Sequence, residues 1–253
     1  MTSSIDSAEP STWPAPWFGS DHDTKEMFVR ARGQTLNLIQ WLARIANSYV
    51  ADSPVESRLV LNFCPDGSFV TQTFERDIAL ELRVPTLELQ FQERGKRVPH
   101  VLDPEERSPA EVEAWILVEL LHRGLNRDKF SKSLPYTIPN LMTGDAEDYS
   151  PRACGTGLAQ LTAWFCAASA VLSSRGRIVC FPQTLTLAAV AASGTPVVGF
   201  SPGDSKRDEP FFFATSRCDG KRAVLAASDL AVAKDPLAAA MEFTKAAGDA
   251  THA

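Results

Sequence analysis

One pentapeptide in this chain has the form of a catalytic motif. Gly199-Phe200-Ser201-Pro202-Gly203 reads G-x-S-x-G, the pattern of the serine-hydrolase nucleophile elbow, and it follows an apolar run at 196–198 that fits the strand before an elbow. In such an enzyme the serine attacks an ester carbonyl while a histidine within hydrogen-bond reach takes its proton. Hydrolysis at Ser201 is therefore the first chemistry to consider.

The residues after Ser201 do not favour an elbow. An elbow passes from a strand into a helix, but residues 202–210 form a polar segment between two prolines, and Phe211-Phe212-Phe213 then indicates a strand. The histidine that follows Ser201 is His252, next to the last residue, where a chain end positions a general base poorly. The sequence favours a turn between two strands, with a serine hydrolase as the alternative.

The same segment is the densest polar group beside an aromatic strand. We expect a small molecule to bind here, because a ligand pocket commonly combines an apolar wall with a few polar groups. The residues expected to form this site are Gly199, Phe200, Ser201, Gly203, Arg207, Glu209 and Phe212. The sequence thus predicts a non-catalytic small-ligand-binding or interaction protein, with no catalytic residue, metal or cofactor.

The histidines offer a third alternative, a metal-dependent enzyme. Asp21-His22-Asp23 could supply metal ligands, since imidazole and carboxylate bind divalent ions. These neighbours need partners from elsewhere in the fold, however, and Asp23 is better placed to cap a helix. His100 near the end of a strand and His122 on the last turn of a helix fit structural roles.

Two other patterns are weaker indications of an anion-binding site. Cys154-Gly155-Thr156-Gly157 has part of a phosphate-binding glycine loop, but it lacks the third glycine and follows no strand. Close helix packing explains the small residues from Gly155 to Ala170 better. Two basic groups could face an anionic ligand, although solvated surface charge is the simpler interpretation: Arg94, Lys96 and Arg97, and Arg127, Lys129 and Lys132.

Composition argues against several classes of partner. The 253 residues are 44 % hydrophobic and carry a formal net charge of −6, which gives no basic excess for binding nucleic acid. The five cysteines are scattered and never spaced C-x-x-C, so we expect reduced thiols in a cytoplasmic protein. The first twenty residues lack the basic start and apolar core of a signal peptide, and the apolar span 158–172 is too short for a bilayer. We expect no nucleic-acid or membrane partner, and a homo-oligomer is left open.

Hydrophobic periodicity predicts an α+β protein. After a flexible leader at 1–22, apolar residues at spacings of three and four predict a helix over 24–50 with Asp23 as its cap. A serine or an aspartate before a proline predicts the start of three further helices, at Ser108-Pro109, Ser150-Pro151 and Asp235-Pro236. Strands are expected at 58–63, 69–74, 87–92, 97–102, 177–181, 184–190, 196–200, 210–215 and 222–226, with a hairpin turn at Asp219-Gly220.

Residues 23–253 are predicted to form one domain of two related halves, 23–125 and 150–249, joined by a connection at 126–149. Each half has a helix with a tryptophan, an arginine-led strand, a Gly-Lys-Arg turn and a helix opened by a cap and a proline. We infer an internal duplication of a helix, three to five antiparallel strands and a helix. Chance agreement is the alternative, because such turns and caps are common.

The segment around Ser201 resembles a bacterial family of uncharacterised proteins, a domain of unknown function. Gly199-Phe200-Ser201-Pro202-Gly203 and then Glu209-Pro210-Phe211-Phe212-Phe213-Ala214 are similar to its G-F-W-P-G and E-P-x-F-Y-A. Further similar segments are Trp13-Pro14 for W-P, Thr35-Leu36-Asn37-Leu38 for T-L-H-L, Ile138-Pro139 for I-P-D and Tyr149-Ser150-Pro151 for Y-D-P. The resemblance implies one architecture over most of the chain and no particular activity.

The chain also departs from that family pattern. Ser201 stands where the pattern has tryptophan, and Asn37 where it has histidine. Val179-Cys180-Phe181-Pro182-Gln183-Thr184-Leu185 replaces a strand similar to His-Phe-Phe-Trp-Gly-Ser-Phe. Any chemistry of the family's histidines is therefore lost or moved in this chain, and Ser201 is interpreted as incidental to the pentapeptide.

Overall fold

A computed structural model describes residues 13, 14, 22–50, 54–190, 196–215 and 222–249, which form six α-helices and ten β-strands. In chain order these are α1 (His22–Tyr49), α2 (Val55–Arg58), β1 (Leu61–Cys64), β2 (Ser68–Val70), β3 (Ile78–Arg83), β4 (Glu88–Glu93), β5 (Lys96–Leu102), α3 (Pro109–His122), α4 (Gly155–Leu172), β6 (Arg177–Phe181), β7 (Thr186–Val190), β8 (Pro196–Ser201), β9 (Phe211–Thr215), β10 (Arg222–Ala226), α5 (Ala227–Ala231) and α6 (Pro236–Asp249).

The ten strands form one antiparallel sheet in the order β10-β9-β8-β7-β6-β1-β2-β3-β4-β5. Each half of the chain supplies a meander of five consecutive strands, and the two meanders join where β1 pairs with β6. At this junction Leu61 lies opposite Cys180 and Asn62 lies opposite Val179. The predicted α+β fold is therefore confirmed.

The two halves share the order of their main elements. α1, which contains Trp41, precedes β1 to β5 and α3, while α4, which contains Trp164, precedes β6 to β10 and α6. This order is what an internal duplication would give, and the duplication itself stays a prediction.

Helices α1 and α4 pack against each other at very close range. Gly157 makes this approach feasible, because a Cβ atom at that position would overlap the carbonyl oxygen of Met27 and lie 2.5 Å from its carbonyl carbon. The neighbouring Phe28 is fully buried in the same contact region. The small residues at the start of α4 were predicted to allow close helix packing, and Gly157 confirms this.

Aromatic rings on α4 connect strands from both halves of the sheet. The ring centroid of Phe165 lies 5.2 Å from that of Phe69 on β2 and 5.9 Å from those of Phe63 on β1 and Phe200 on β8. Trp164 stacks on Phe200 at 6.0 Å with an interplanar angle of 12°. One continuous core therefore lies beneath α4 on both sides of the junction.

The stretch Pro151–Arg175, which contains α4, is long and apolar enough to cross a membrane by length and composition alone. Half of its 18-residue window is buried inside the protein, where α4 contacts α1 and α6. Burial of this kind is typical of the central helix of a globular core, the role that the sequence predicted for 158–172.

Two of the predicted helix starts are confirmed by their hydrogen bonds. Ser108 accepts a hydrogen bond at Oγ from the Glu111 amide, 3.3 Å away, while the Glu111 carboxylate accepts one from the Ser108 amide at 2.9 Å. At α6 the Asp235 carboxylate accepts from the Ala238 amide at 3.0 Å. Each cap satisfies amide groups that the first turn of a helix leaves without a partner.

Several predicted boundaries were wrong. Asp23 lies inside the first turn of α1 rather than at its cap, and Arg58 ends the short helix α2 instead of opening a strand. Ser150 makes no capping hydrogen bond, and the turn that it precedes, Pro151–Cys154, is a 3-10 helix that comes before α4. The predicted leader, apart from residues 13, 14 and 22, and the turn at Asp219-Gly220 lie outside the described residues.

The connection at 126–149 is anchored along α1. Arg44 donates from Nε to the Lys132 carbonyl at 3.2 Å, and Tyr136 donates its hydroxyl proton to the Gln40 side-chain oxygen at 2.9 Å. Burial lowers the pKa of Arg44, although Tyr149 and other nearby groups oppose this effect. The segment lacks regular secondary structure apart from one short 3-10 turn, yet it is held in place.

A charged network stabilises the first meander. Glu81 on β3 is fully buried, and both of its carboxylate oxygens accept from Arg97 Nε on β5, at 3.1 and 2.9 Å. Gln92 donates to the same carboxylate at 2.7 Å, and Arg97 also contacts Asp66. Burial by itself would raise the pKa of Glu81, but hydrogen bonds from Arg97, Gln92 and Ser68 outweigh it and lower that pKa.

This network predicts a specific acid sensitivity. Because the folded protein lowers the pKa of Glu81 below its ordinary value of 4.5, its contribution is fully present above pH 4.5 and is lost as the pH falls through the folded pKa. Glu81→Gln should lower the free energy of unfolding at pH 7 by about 1.5–3 kcal/mol and reduce its dependence on pH below ~4.5. Glu88→Gln, which removes a partly exposed pair with Arg83, is the control and should cost less than ~1 kcal/mol. Urea denaturation at a series of pH values measures the free energy of unfolding of both variants. Equal losses of stability in Glu81→Gln and Glu88→Gln would contradict the prediction.

The contact between α1 and α4 predicts opposite responses at two neighbouring glycines. Gly157→Ala should lower the free energy of unfolding by ~1–3 kcal/mol, since the new methyl group forces two helix backbones apart. Gly155→Ala in the same turn meets no atom within 4 Å and should change stability by less than ~1 kcal/mol, in the stabilising direction. Urea denaturation of both variants tests this, and a neutral Gly157→Ala would contradict the close packing.

Candidate functional site

The segment predicted to bind a ligand lies at one end of the second meander. Gly199, Phe200 and Ser201 end β8, and a loop at 202–210 leads to β9. Gly199 pairs with Phe213 across the two strands, Phe200 with Phe212, and Ser201 with Phe211. The turn between two strands that the sequence favoured is therefore confirmed.

The first two residues of the pentapeptide serve packing. A Cβ on Gly199 would lie 2.6 Å from the Leu187 carbonyl oxygen and would overlap the ring of Phe213, so only glycine leaves room for that ring. Phe200 is fully buried, and its ring centroid lies 5.3 Å from that of Phe212, which is also fully buried. Neither aromatic side chain is accessible to a ligand.

Ser201 is not presented as a nucleophile. Its relative exposure is 4 %, and its Oγ accepts a hydrogen bond from the Gly203 amide at 3.3 Å. Residues 202–210 contain no helix, whereas an elbow requires one directly after the serine. Among the described residues no histidine or carboxylate makes a hydrogen bond to Ser201, and His252 lies outside them.

Arg32 on α1 fastens the loop to the helix. Its Nη1 donates to the carbonyl oxygens of Pro202 and Asp208, at 3.2 and 3.0 Å. Burial lowers the pKa of Arg32, while the Asp208 and Asp204 carboxylates oppose that effect. Gly203 has a φ of 101°, and a Cβ there would lie 2.5 Å from the Asp208 carbonyl oxygen, so the loop closes around the guanidinium only because residue 203 is glycine.

The rest of the loop is fixed by its own carboxylates. Asp204 accepts hydrogen bonds from the amides of Lys206 and Arg207, at 2.8 and 2.9 Å. Glu209 accepts from Arg207 Nη1 at 3.2 Å through one oxygen and from the Ser228 amide of α5 at 2.9 Å through the other. The loop is therefore tied at both ends, and its outward side chains project from a fixed backbone.

A groove runs between this loop and the first turns of α1. We call it the loop groove; it has a volume of about 870 Å³ and is lined by His22, Lys25, Glu26, Val29, Lys206, Arg207, Asp208, Glu209 and Ser228. The volume falls in the range of ~300–1,000 Å³ that small-molecule sites occupy.

Only some of the charged side chains in the loop groove lie close to a group of opposite charge. Asp208 lies 3.8 Å from Arg32, and Glu209 is held by Arg207, so these carboxylates already face cations. Lys25 and Lys206, on opposite walls, form no ion pair with any carboxylate in the described part of the chain. As far as the described residues go, the groove therefore offers a ligand two ammonium groups that have no ion-pair partner.

Arg207 and Glu209 are the predicted site residues that line the loop groove. The other five, Gly199, Phe200, Ser201, Gly203 and Phe212, build the strands and the turn behind it. Sequence reasoning did not select Lys25, Lys206 or Glu26, although the polar loop containing Lys206 was recognised. No local pattern could join α1 to that loop, because Arg32 and Asp208 are 176 residues apart in the chain.

The basic groups, the cysteines and the Asp21-His22-Asp23 triplet lie in different parts of the structure. In each basic group some cations are already paired: Arg97, Lys129 and Lys132 lie against carboxylates, which leaves Arg94, Lys96 and Arg127 without an ion pair among the described residues. Cys154 and Cys180 are buried free thiols, and burial raises the pKa of both, which makes them weak nucleophiles. Of the predicted metal triplet, His22 lies in the loop groove and Asp21 lies outside the described residues.

Comparisons of this chain with protein-family models, with curated proteins and with solved structures find no match. Its resemblance to a bacterial family of unknown function stays a prediction.

Proposed function

We propose that this chain is a cytoplasmic, non-catalytic protein that binds a small organic anion in the loop groove. The observation that carries the proposal is the pair Lys25 and Lys206, which lie on opposite walls of a groove of ligand-sized volume and form no ion pair with another described residue. A carboxylate or phosphate between them gains charge-assisted hydrogen bonds from both sides.

The first turn of α1 adds to this preference. α1 is 28 residues long and begins at His22, which lies in the groove. The amino end of a helix carries partial positive charge, which favours an anion beside His22 and Lys25, while the Asp23 carboxylate in the same turn opposes it. Glu26 and Asp208 oppose a highly charged ligand, so a molecule with one or two acidic groups and neutral hydrogen-bonding groups suits the groove best.

Rigidity of the loop also supports binding. Arg32, Asp204 and Glu209 hold the backbone from 202 to 209 through hydrogen bonds to main-chain atoms. A site that is ordered before the ligand arrives loses less conformational entropy on binding. The same fixed loop keeps Ser201 buried, which favours binding over catalysis.

Removal of the two lysines tests the proposal. The protein would be screened against small carboxylates and phosphates by thermal shift, and dissociation constants would be measured by titration calorimetry for the acids that stabilise it. The double variant Lys25→Ala/Lys206→Ala should bind those acids at least ~10-fold more weakly, since each charge-assisted hydrogen bond contributes ~1.5–3 kcal/mol.

The matched control is Lys234→Ala/Lys245→Ala, which removes the same charge from exposed positions outside the groove. It should bind the acids as the unaltered protein does. The proposal is wrong if no small acid binds, or if both double variants bind equally well.

A serine hydrolase using Ser201 is the second candidate, favoured by the G-x-S-x-G pattern alone. Because the hydroxyl is buried and bonded to the Gly203 amide, we expect no labelling of Ser201 by a fluorophosphonate probe. Ser201→Ala should lower the free energy of unfolding by no more than about 1.5 kcal/mol and leave ester turnover at background. Mass spectrometry of the probe-treated protein decides the point, with an authentic serine hydrolase as positive control, and an adduct on Ser201 would favour the hydrolase.

A further inference from the structure

Two histidines and a buried carboxylate converge where the edge strand β5 meets the end of α3. His100 Nδ1 lies 3.2 Å from Glu119 Oε1, and His122 Nδ1 lies 3.6 Å from the same oxygen. One ligand atom from each of the three residues lies within 4.8 Å of the others. Three groups that commonly bind transition metals therefore share one small volume.

The fold places these groups together by two simple means. Glu119 and His122 are three residues apart on α3, a spacing that puts both side chains on one face of a helix. His100 comes from β5, the outermost strand of the sheet on this side. A bound ion would join the free edge of the sheet to the helix beside it.

The separations match a tetrahedral metal site. Zn²⁺ binds histidine nitrogen and carboxylate oxygen at ~2.0–2.2 Å, so neighbouring ligands of a tetrahedral ion are roughly 3.3–3.6 Å apart. The two separations from Glu119 Oε1, 3.2 and 3.6 Å, lie close to this range, and the ligand atoms of the two histidines lie within 4.8 Å of each other. The histidine side chains are 65 % and 58 % exposed, so their rings can adjust and a fourth position faces solvent.

The surroundings prepare the carboxylate for this role. Arg123 Nη1 donates to Glu119 Oε2 at 2.6 Å, which fixes the carboxylate and leaves Oε1 toward the histidines. Arg123 Nε lies 3.2 Å from Glu93, and its guanidinium carbon lies 4.4 Å above the Phe91 ring. Partners that orient a metal ligand in this way strengthen metal sites.

We propose that His100, Glu119 and His122 form a binding site for a divalent transition metal ion, with Zn²⁺ as the best-fitting ion. The site has three protein ligands and an open fourth position. It lies at the β5 end of the sheet, whereas the loop groove adjoins β9 and α5, so neither site depends on the other.

Zinc titration of the full chain tests the site. After treatment with a chelator, the protein would be titrated with ZnCl₂ in competition with a chromophoric zinc indicator. We expect one high-affinity Zn²⁺ per chain and at least ~10-fold weaker binding in both His100→Ala and His122→Ala, because even partners outside the ligand set contribute that much. His22→Ala, which alters a histidine of the loop groove, is the matched control and should bind as the unaltered protein does.

Both tested histidines are more than half exposed, so their loss leaves the core unchanged; thermal melting would verify this. As a measurement independent of variants, Co²⁺ added to the unaltered protein should broaden the ring resonances of His100 and His122. The proposal is overturned if no stoichiometric Zn²⁺ binds, if either His100→Ala or His122→Ala retains full affinity, or if Co²⁺ leaves those resonances unchanged. In those cases the three side chains make only hydrogen bonds to one another.

Discussion

The pairing of β1 with β6 is the interaction on which the rest of the structure depends. It turns two five-stranded meanders into one ten-stranded sheet, and without it each meander would present one more unpaired strand edge to solvent. The pairing is short, with two registered residue pairs, so its hydrogen bonds alone cannot account for the union. Burial of apolar surface beneath α4 supplies the remaining stabilisation, because Phe165 contacts aromatic rings on β1, β2 and β8.

The close contact of α1 and α4 follows from the same requirement. Two helices that must cover one continuous core gain from approaching each other, since any gap between them would expose the rings below or leave a void. Gly157 permits the approach at the point where the α1 backbone passes nearest. Through Phe165, α4 thus contributes to the core beneath both meanders, while α1 packs on β3 and on α4.

Local signals predicted local structure well in this chain. Ser108-Pro109 marked the start of α3 and Asp235-Pro236 that of α6, because each cap binds an amide only three residues further along the chain. β3 was missed although Ile78, Leu80 and Leu82 alternate with more polar residues, a pattern that favours a strand. The β1 to β6 pairing had no comparable signal, since Leu61 and Cys180 belong to different halves of the chain.

The loop groove likewise combines residues that the sequence identified with residues that only the fold brings together. The density of charged residues near Ser201 identified Arg207 and Glu209, which line the loop groove. The opposite wall, with His22 and Lys25, reaches the loop only through the folded position of α1 and the Arg32 contacts. Prediction of that wall would have required the tertiary arrangement, because no periodicity or spacing relates the two segments.

The pentapeptide shows how one pattern can arise from different physical causes. In a nucleophile elbow the glycines allow a sharp turn that exposes the serine. Here Gly199 makes room for the Phe213 ring, and Gly203 adopts a positive φ and lets the Arg32 guanidinium approach the loop. Both glycines are therefore required by contacts that involve neither the Ser201 hydroxyl nor any substrate. The Gly203 amide also donates a hydrogen bond to the buried Ser201 hydroxyl. The match to G-x-S-x-G therefore follows from packing and local hydrogen bonding and does not imply catalysis.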